Sequence, residues 1–335
     1  MKDLSPLEVP PWVFDWLSGP FDDSSRDLVP WDTTDLGWRI RRLRGPALDL
    51  ISIRVPNAVD LDAPSFESVC HGVYLRLLME VGRRQDRHPI RWWNLIPHIL
   101  QPLGTFEHRY MAFNSGRYRA LSETCRRGGP EAPHPDPATA SGVGHHGRDL
   151  MVHCLAADRR GASVENPRQI PAYRYSARYG PLPPCFARAT RLPANVPDAE
   201  TSAEPEKAPW LLVGGTASVL GEKSAHVGNL DRQLEETLAN LAAVARVGLG
   251  ERSATGPDGA LRTYRHLRVY FVDPGDREIL QRRLRRRLPE ARVEMLRADL
   301  CRPDLLVEIE GIARADRPTT VTREVAADFL AVAGE

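Results

Sequence analysis

The run Leu305-Leu306-Val307-Glu308-Ile309-Glu310-Gly311-Ile312-Ala313 most narrows what this chain can become. A strand alternates its side chains between two faces, so Leu305, Val307 and Ile309 fill one face. Leu306, Glu308, Glu310 and Ile312 share the other. The first face is wholly apolar and demands a packed layer against it. The second carries two carboxylates inside an apolar run, and a carboxylate there is costly unless solvated, paired or held protonated. The pattern by itself fits an antiparallel strand with one wet face equally well.

That strand belongs to a chain of 335 residues, enough for two domains that each bury a core. With 45 basic against 44 acidic residues, a net +1, there is no bulk field for nucleic acid or an anionic membrane. Lysine occurs only at Lys2, Lys207 and Lys223, in linker-like or polar surroundings, which argues against Schiff-base chemistry. The five cysteines (Cys70, Cys125, Cys154, Cys185, Cys301) form no CxxC pair and read as free thiols of a reducing compartment. No basic-then-apolar leader opens the chain and no apolar run is long enough to span a bilayer, so a soluble cytoplasmic protein is expected.

Residues 194–209 (ANVPDAETSAEPEKAP) have the composition of a linker, and residues 128–137 that of an exposed loop. The linker divides the chain into residues 1–195 and 205–335. In the second part, residues 210–218 (WLLVGGTAS) read as a buried strand ending at glycines. Leu230, Leu234, Leu238, Leu241 and Val244 recur at helical spacing, with Gly248 and Gly250 as the stop. A strand at 267–272, a second amphipathic stripe through Ile279, Leu280, Leu284 and Leu288, and strands at 293–296 and 305–312 complete it. Strand, helix, strand, helix, strand, strand predicts an α+β sheet with both helices on one face. In the first part, Phe66, Val69, Val73, Leu77 and Val81 trace a helix face and residues 90–97 (IRWWNLIP) a strand, a degenerate echo of the second part.

This element order, the GGTAS run at 214–218 and the terminal VEIEGIA at 307–313 resemble the RidA (YjgF) family over residues 210–313. The resemblance implies two RidA-like halves, the N-terminal one degenerate, and a site at the cleft between them that includes Glu308. The imine deaminases of that family require an upstream arginine that grips a substrate carboxylate. Here Glu290 stands nearest that position, with Arg292 two residues out of place, so simple imine deamination fits poorly. A non-catalytic binding protein of RidA type remains a competing reading.

Two Arg/Tyr-interleaved segments, residues 109–118 (RYMAFNSGRY) and 173–190 (YRYSARYGPLPPCFARAT), narrow the choice further. Arginine offers a planar fork matched to carboxylates, and tyrosine a donor hydroxyl on an apolar body. With the RidA-like half, these segments resemble the chorismatase family over nearly the whole chain. The resemblance implies chorismate as substrate, no cofactor and no metal, with Glu308 as the catalytic acid. It places Tyr118, Tyr175 and Arg188 at substrate-holding positions, with Arg117 and Arg178 as neighbours. Chorismate is a dianion, and charge-assisted grips on its carboxylates are worth roughly 1.5–3 kcal/mol each. Loss of pyruvate from its enol ether begins with protonation of the enol carbon, which a carboxylic acid kept protonated in a dry site can perform. Glu310, one pleat away, reads as a solvated strand-end charge, or as a neighbour able to raise the pKa of Glu308.

Chorismatases resembling this chain divide into hydrolases, which release a 3,4-dihydroxycyclohexadiene carboxylate, and synthases, which release 3-hydroxybenzoate. The hydrolases carry alanine at two pocket positions where the synthases carry glycine and cysteine. Those positions fall here at Gly214 (Gly215 as the alternative) and Cys301, pointing to the synthase branch and a starter unit for secondary metabolism. Two copies in one chain can form the cleft internally, so a monomer is expected. Other signals carry less. Gly142-Val-Gly-His-His-Gly147 has the spelling of a dinucleotide loop, but its apolar strand follows rather than precedes it. His145 and His146 lack a third ligand at metal spacing. Arg282 to Arg287 form a charged helix face without the aromatic partners of a nucleic-acid patch.

Overall fold

The computed structural model describes residues 9–17, 30–125, 137–193, 208–250 and 256–315. Most of the expected linker at 194–209 and most of the expected loop at 128–137 lie outside these. The chain begins with a short helix α1 (Pro11–Trp16), then β1 (Asp32–Thr33), β2 (Arg39–Arg44), β3 (Leu48–Val55), α2 (Ala63–Gly82), β4 (His88–Pro97), α3 (Arg109–Cys125), β5 (Thr139–His145) and β6 (Leu150–Ala157). There follow β7 (Ala162–Val164), β8 (Ala189–Leu192), β9 (Trp210–Ala217), a hairpin of β10 (Val219–Leu220) and β11 (Lys223–Ser224), α4 (Leu230–Leu249), α5 (Gly256–Arg262), β12 (Tyr264–Phe271), α6 (Arg277–Arg287), β13 (Arg292–Arg297) and β14 (Val307–Arg314).

The helices start and stop on local chemistry. Asp62 caps α2, its side chain accepting from Ser65 N at 3.0 Å, with Pro64 in the first turn; Asn229 caps α4 through Arg232 N at 3.0 Å. The apolar stripes are buried as their spacing demands: Phe66, Val73, Leu77 and Val81 on α2, Leu234, Leu238, Leu241 and Val244 on α4. Gly250, at φ 86°, ends α4.

The strands form two six-stranded mixed sheets, ordered β1-β2-β3-β6-β4-β5 and β13-β12-β14-β9-β8-β7. Within them β2-β3-β6-β4-β5 and β8-β9-β14-β12-β13 have one topology: three antiparallel pairings, then a parallel one. The α+β expectation of two halves with helices on one face holds. Helices α2 and α3 cover one face of the first sheet, and α4, α5 and α6 one face of the second. The bare faces pack on each other: Leu48, Trp93 and Leu155 meet Leu212 and Ile312, while Leu95 and Met151 meet Ala217, Tyr270 and Leu305. The cleft between halves is thus a contact between two sheets.

One reading changes. The strands β7 and β8 precede the expected linker, yet β8 pairs with β9 (Ala189 opposite Val213) and belongs to the second sheet. By sheet membership the seam falls between Ala157 and Ala162, not at 195–205; composition marks polar chain, and carries no signal of which sheet a four-residue strand joins. Residues 109–118, the first of the Arg/Tyr-interleaved segments, open helix α3. Gly116 there is no breaker: a side chain at that point would press on the Glu67 carbonyl and Cys70 of α2, so glycine lets the helices cross closely.

Candidate active site

Strand β14 turns Val307 and Ile309 into the helix-side core and Glu308 and Glu310 toward the first sheet. Neither carboxylate is solvated: Glu308 is 4% and Glu310 1% exposed, which corrects the solvated-charge reading of Glu310. Glu310 is instead paired across the cleft. Arg91 Nη2 donates to its Oε2 at 2.8 Å, Trp93 Nε1 to its Oε1 at 2.9 Å, and Ser141 Oγ–H also donates to Oε2. Ser141 Oγ in turn accepts from Arg91 at 2.6 Å and from Gly215 N–H at 2.8 Å. The β14–β9 register shifts here, Ile309 lying opposite Thr216 and Gly311 opposite Val213, so Glu310 faces two residues, Gly214 and Gly215. This bulge turns the strand beside the acid.

Glu308 opens into a cavity of about 440 Å³ between the halves. Tyr110, Arg117 and Ser141 contribute the first half's wall; Gly215, Cys301 and Glu308 the second's; Tyr175, Arg178 and Arg188, from the stretch joining β7 to β8, close it. Burial first, then the charge of Glu310, push the Glu308 carboxyl up to about 8, against the opposing pull of Arg91, Arg188 and Arg302. Burial, with Glu308 second, pushes the Cys301 thiol up to about 12, so it is a neutral thiol.

Of the residues expected to hold substrate, Arg188 donates through Nη2 to Tyr175 Oη at 2.6 Å and to Ile170 O at 2.9 Å. Its guanidinium lies 5.3 Å from the Phe186 ring. Arg117 is fully buried and held by Asn114 Oδ1 at 2.9 Å. The Nε atoms of both arginines are buried and bond to none of the described residues. Arg178 is exposed at the mouth, 6.0 Å from the Tyr179 ring.

Two expected residues are displaced. Tyr118 packs half-buried against the first core and does not line the cavity; Tyr110 does. On a helix one step turns the chain by about 100°, so Tyr118 leaves the face that Tyr110 and Arg117 share. Gly214 is likewise absent from the cavity wall: a side chain there would meet the Ala140 carbonyl at 2.7 Å. A side chain at Gly215 would run into the Glu308 carboxylate, so Gly215 is the glycine beside the acid.

Sequence reasoning missed Arg91, Trp93, Ser141 and Arg302. Arg302 stacks 4.1 Å from the Tyr179 ring and 5.4 Å from Tyr175, and donates to Glu222 O at 2.7 Å. Its adjacency to Cys301 was the available hint. For Arg91 the signal was stronger: an arginine inside an apolar strand is the complement of a glutamate inside another.

Residues 40–156 match the family described as chorismatase FkbO/Hyg5-like, N-terminal. A 3-hydroxybenzoate synthase of Streptomyces hygroscopicus is 36% identical over 227 residues, 66% of this chain. That match spans 62% of the synthase, less than two thirds of its length. A chorismatase of Streptomyces rapamycinicus is 36% identical over 300 residues, 88% of this chain and 79% of that protein. A crystal structure of a chorismatase superposes with a TM-score of 0.68 at 28% identity, covering 85% of this chain and 79% of that one. No helix among the described residues is long and apolar enough to cross a membrane. The chain belongs to the chorismatase family.

Proposed function

We propose that this protein removes pyruvate from chorismate without a cofactor and releases 3-hydroxybenzoate. The observation that carries the reading is a buried Glu308, its carboxyl pushed up to about 8 by burial and by Glu310, in the wall of a cavity that Arg117, Arg188 and Arg302 also line. The arginines meet the two carboxylates of the substrate. Glu308 gives its proton to the enol methylene, which becomes the methyl of pyruvate, and positive charge builds on the ether carbon. The ring hydroxyl at C4 attacks C3 and breaks the C3–ether bond, whose electron pair becomes the pyruvate carbonyl. The proton of that hydroxyl returns to the Glu308 carboxylate. The resulting ring epoxide opens at C4, its oxygen gains a proton, and loss of the C3 proton restores aromaticity. No water is consumed.

Purified protein incubated with chorismate should release pyruvate, read with lactate dehydrogenase, and chromatography should give 3-hydroxybenzoate. Absence of pyruvate above the spontaneous rate would leave a binding protein. A diene diol as main product would instead make the enzyme a hydrolase. Cys301 supports the synthase outcome, since its neutral thiol fills the wall beside Glu308 where water would otherwise stand. Cys301→Ala should make the diol the majority product while pyruvate release continues; an unchanged product ratio would remove Cys301 from this role. Arg188→Ala should weaken substrate binding by about 2 kcal/mol, read as a raised KM.

Because both walls come from one chain, a monomer suffices for activity. Sedimentation of the active enzyme should give a single species of 37.4 kDa. Activity confined to a larger species would overturn this.

A further inference from the structure

We propose that Glu310 is a positioning residue for the acid: fixed by Arg91, Trp93 and Ser141, it holds a permanent negative charge one pleat from Glu308 and so keeps the proton on Glu308. This rests on the reading of Glu308 as the proton donor and extends it. Two carboxylates on one strand face meet opposite surroundings. Glu310 receives three donors, Arg91 Nη2, Trp93 Nε1 and Ser141 Oγ–H, one of them a cation. Glu308 receives none from the described residues and faces the cavity and Gly215. Like charges so close on a dry face cannot both form cheaply, so the pair divides into a charged member and a protonated one.

The anchor is built to keep that charge still. Arg91 is 1% exposed, lies 4.8 Å from the Trp93 ring, and donates Nη1 to Trp92 O at 3.0 Å. Ser141 ties the same cluster to the Gly215 N–H of the bulge at 2.8 Å, so one hydroxyl fixes both Glu310 and the backbone against which Glu308 rests. The groups facing Glu308 are Glu310 on its own strand, Tyr270 opposite it on β12, Arg91 on β4, Tyr110 on α3, Arg188 just before β8, and Cys301 and Arg302 of the preceding loop. Three are cations and the rest, Glu310 aside, neutral. Without the charge of Glu310, every remaining charge favours ionised Glu308.

The test is the pH profile of kcat for Glu310→Gln, which keeps the shape but not the charge. The basic limb should move down by at least one pH unit, with activity recovered to within a few-fold on the acid side and a loss of more than tenfold at pH 8. An infrared titration of the protonated carboxyl, identified by its loss in Glu308→Gln, should shift in parallel. Ser141→Ala, which leaves the charge in place, should keep the limb within a few tenths of a unit. If Glu310→Gln does not fold, the charge-neutral Arg91→Met/Glu310→Gln pair replaces it, with a smaller downward shift expected. An unmoved limb with a uniformly lower rate would make Glu310 a structural ion-pair partner only and overturn the proposal. Wild-type turnover in Glu308→Gln would show a different failure, that of Glu308 as the acid.

Discussion

Glu308→Gln should lower pyruvate release by about 10²-fold or more in kcat, because the step it removes is general-acid protonation of carbon. The amide keeps the side chain's volume and its place beside Gly215, so the cationic rim formed by Arg117, Arg188 and Arg302 stays as it is. KM should therefore change much less than kcat, the signature of an interaction made in the transition state and not in the ground state. Steady-state kinetics with chorismate, coupled to lactate dehydrogenase, measure both. In the wild type kcat should fall as pH rises through about 8, since above it Glu308 has lost the proton it must give. The same proton sets a stability trend. A carboxyl whose folded value lies above its ordinary 4.5 binds its proton more tightly in the folded state. Its contribution is therefore complete below about 4.5 and is lost as pH rises to about 8. A rate that stays unchanged as pH rises through about 8 would point to another acid.

Arg91→Ala should be the most damaging single change to folding. It leaves Glu310, 1% exposed between two packed sheets, without the cation that hydrogen-bonds it, only Arg268 opposite on β12 remaining nearby. Removing one member of a buried pair typically costs about 3–5 kcal/mol, far more than the pair's net worth. Denaturant unfolding followed by tryptophan fluorescence should show the midpoint falling accordingly. The Arg91→Met/Glu310→Gln double variant should recover part of the loss, because no uncompensated charge remains. Equal losses in the single and double variants would mean that Glu310 is reached by water and the pair is not dry.

The fold was legible where a period carries it. The leucine stripe of α4 and the apolar run of β14 appear in the residues themselves, because helix and strand periods are local properties. The partners of β14 do not appear there. Whether Glu308 and Glu310 face water or a second sheet depends on residues more than 200 positions away, Arg91 and Trp93 among them. The placement of Tyr118 has the same origin on a smaller scale: an Arg-Tyr pair reads alike in a loop and a helix, yet only the helix separates its two members. The glycine beside the acid hinged on a one-residue bulge, and a bulge is a property of two strands.

The repeated topology has a consequence for how such a cavity can diverge. A pocket between identical subunits inherits every substitution on both of its walls, since each subunit supplies either side. Here the bare face of β6 carries Met151 and His153, and His153 bonds Ser52 at 2.7 Å, where the bare face of β14 carries Glu308 and Glu310. One half supplies the acid and the other the cation that steadies its neighbour. Each wall can therefore drift without obliging the other to follow, and substrate fit and proton supply become separately adjustable traits.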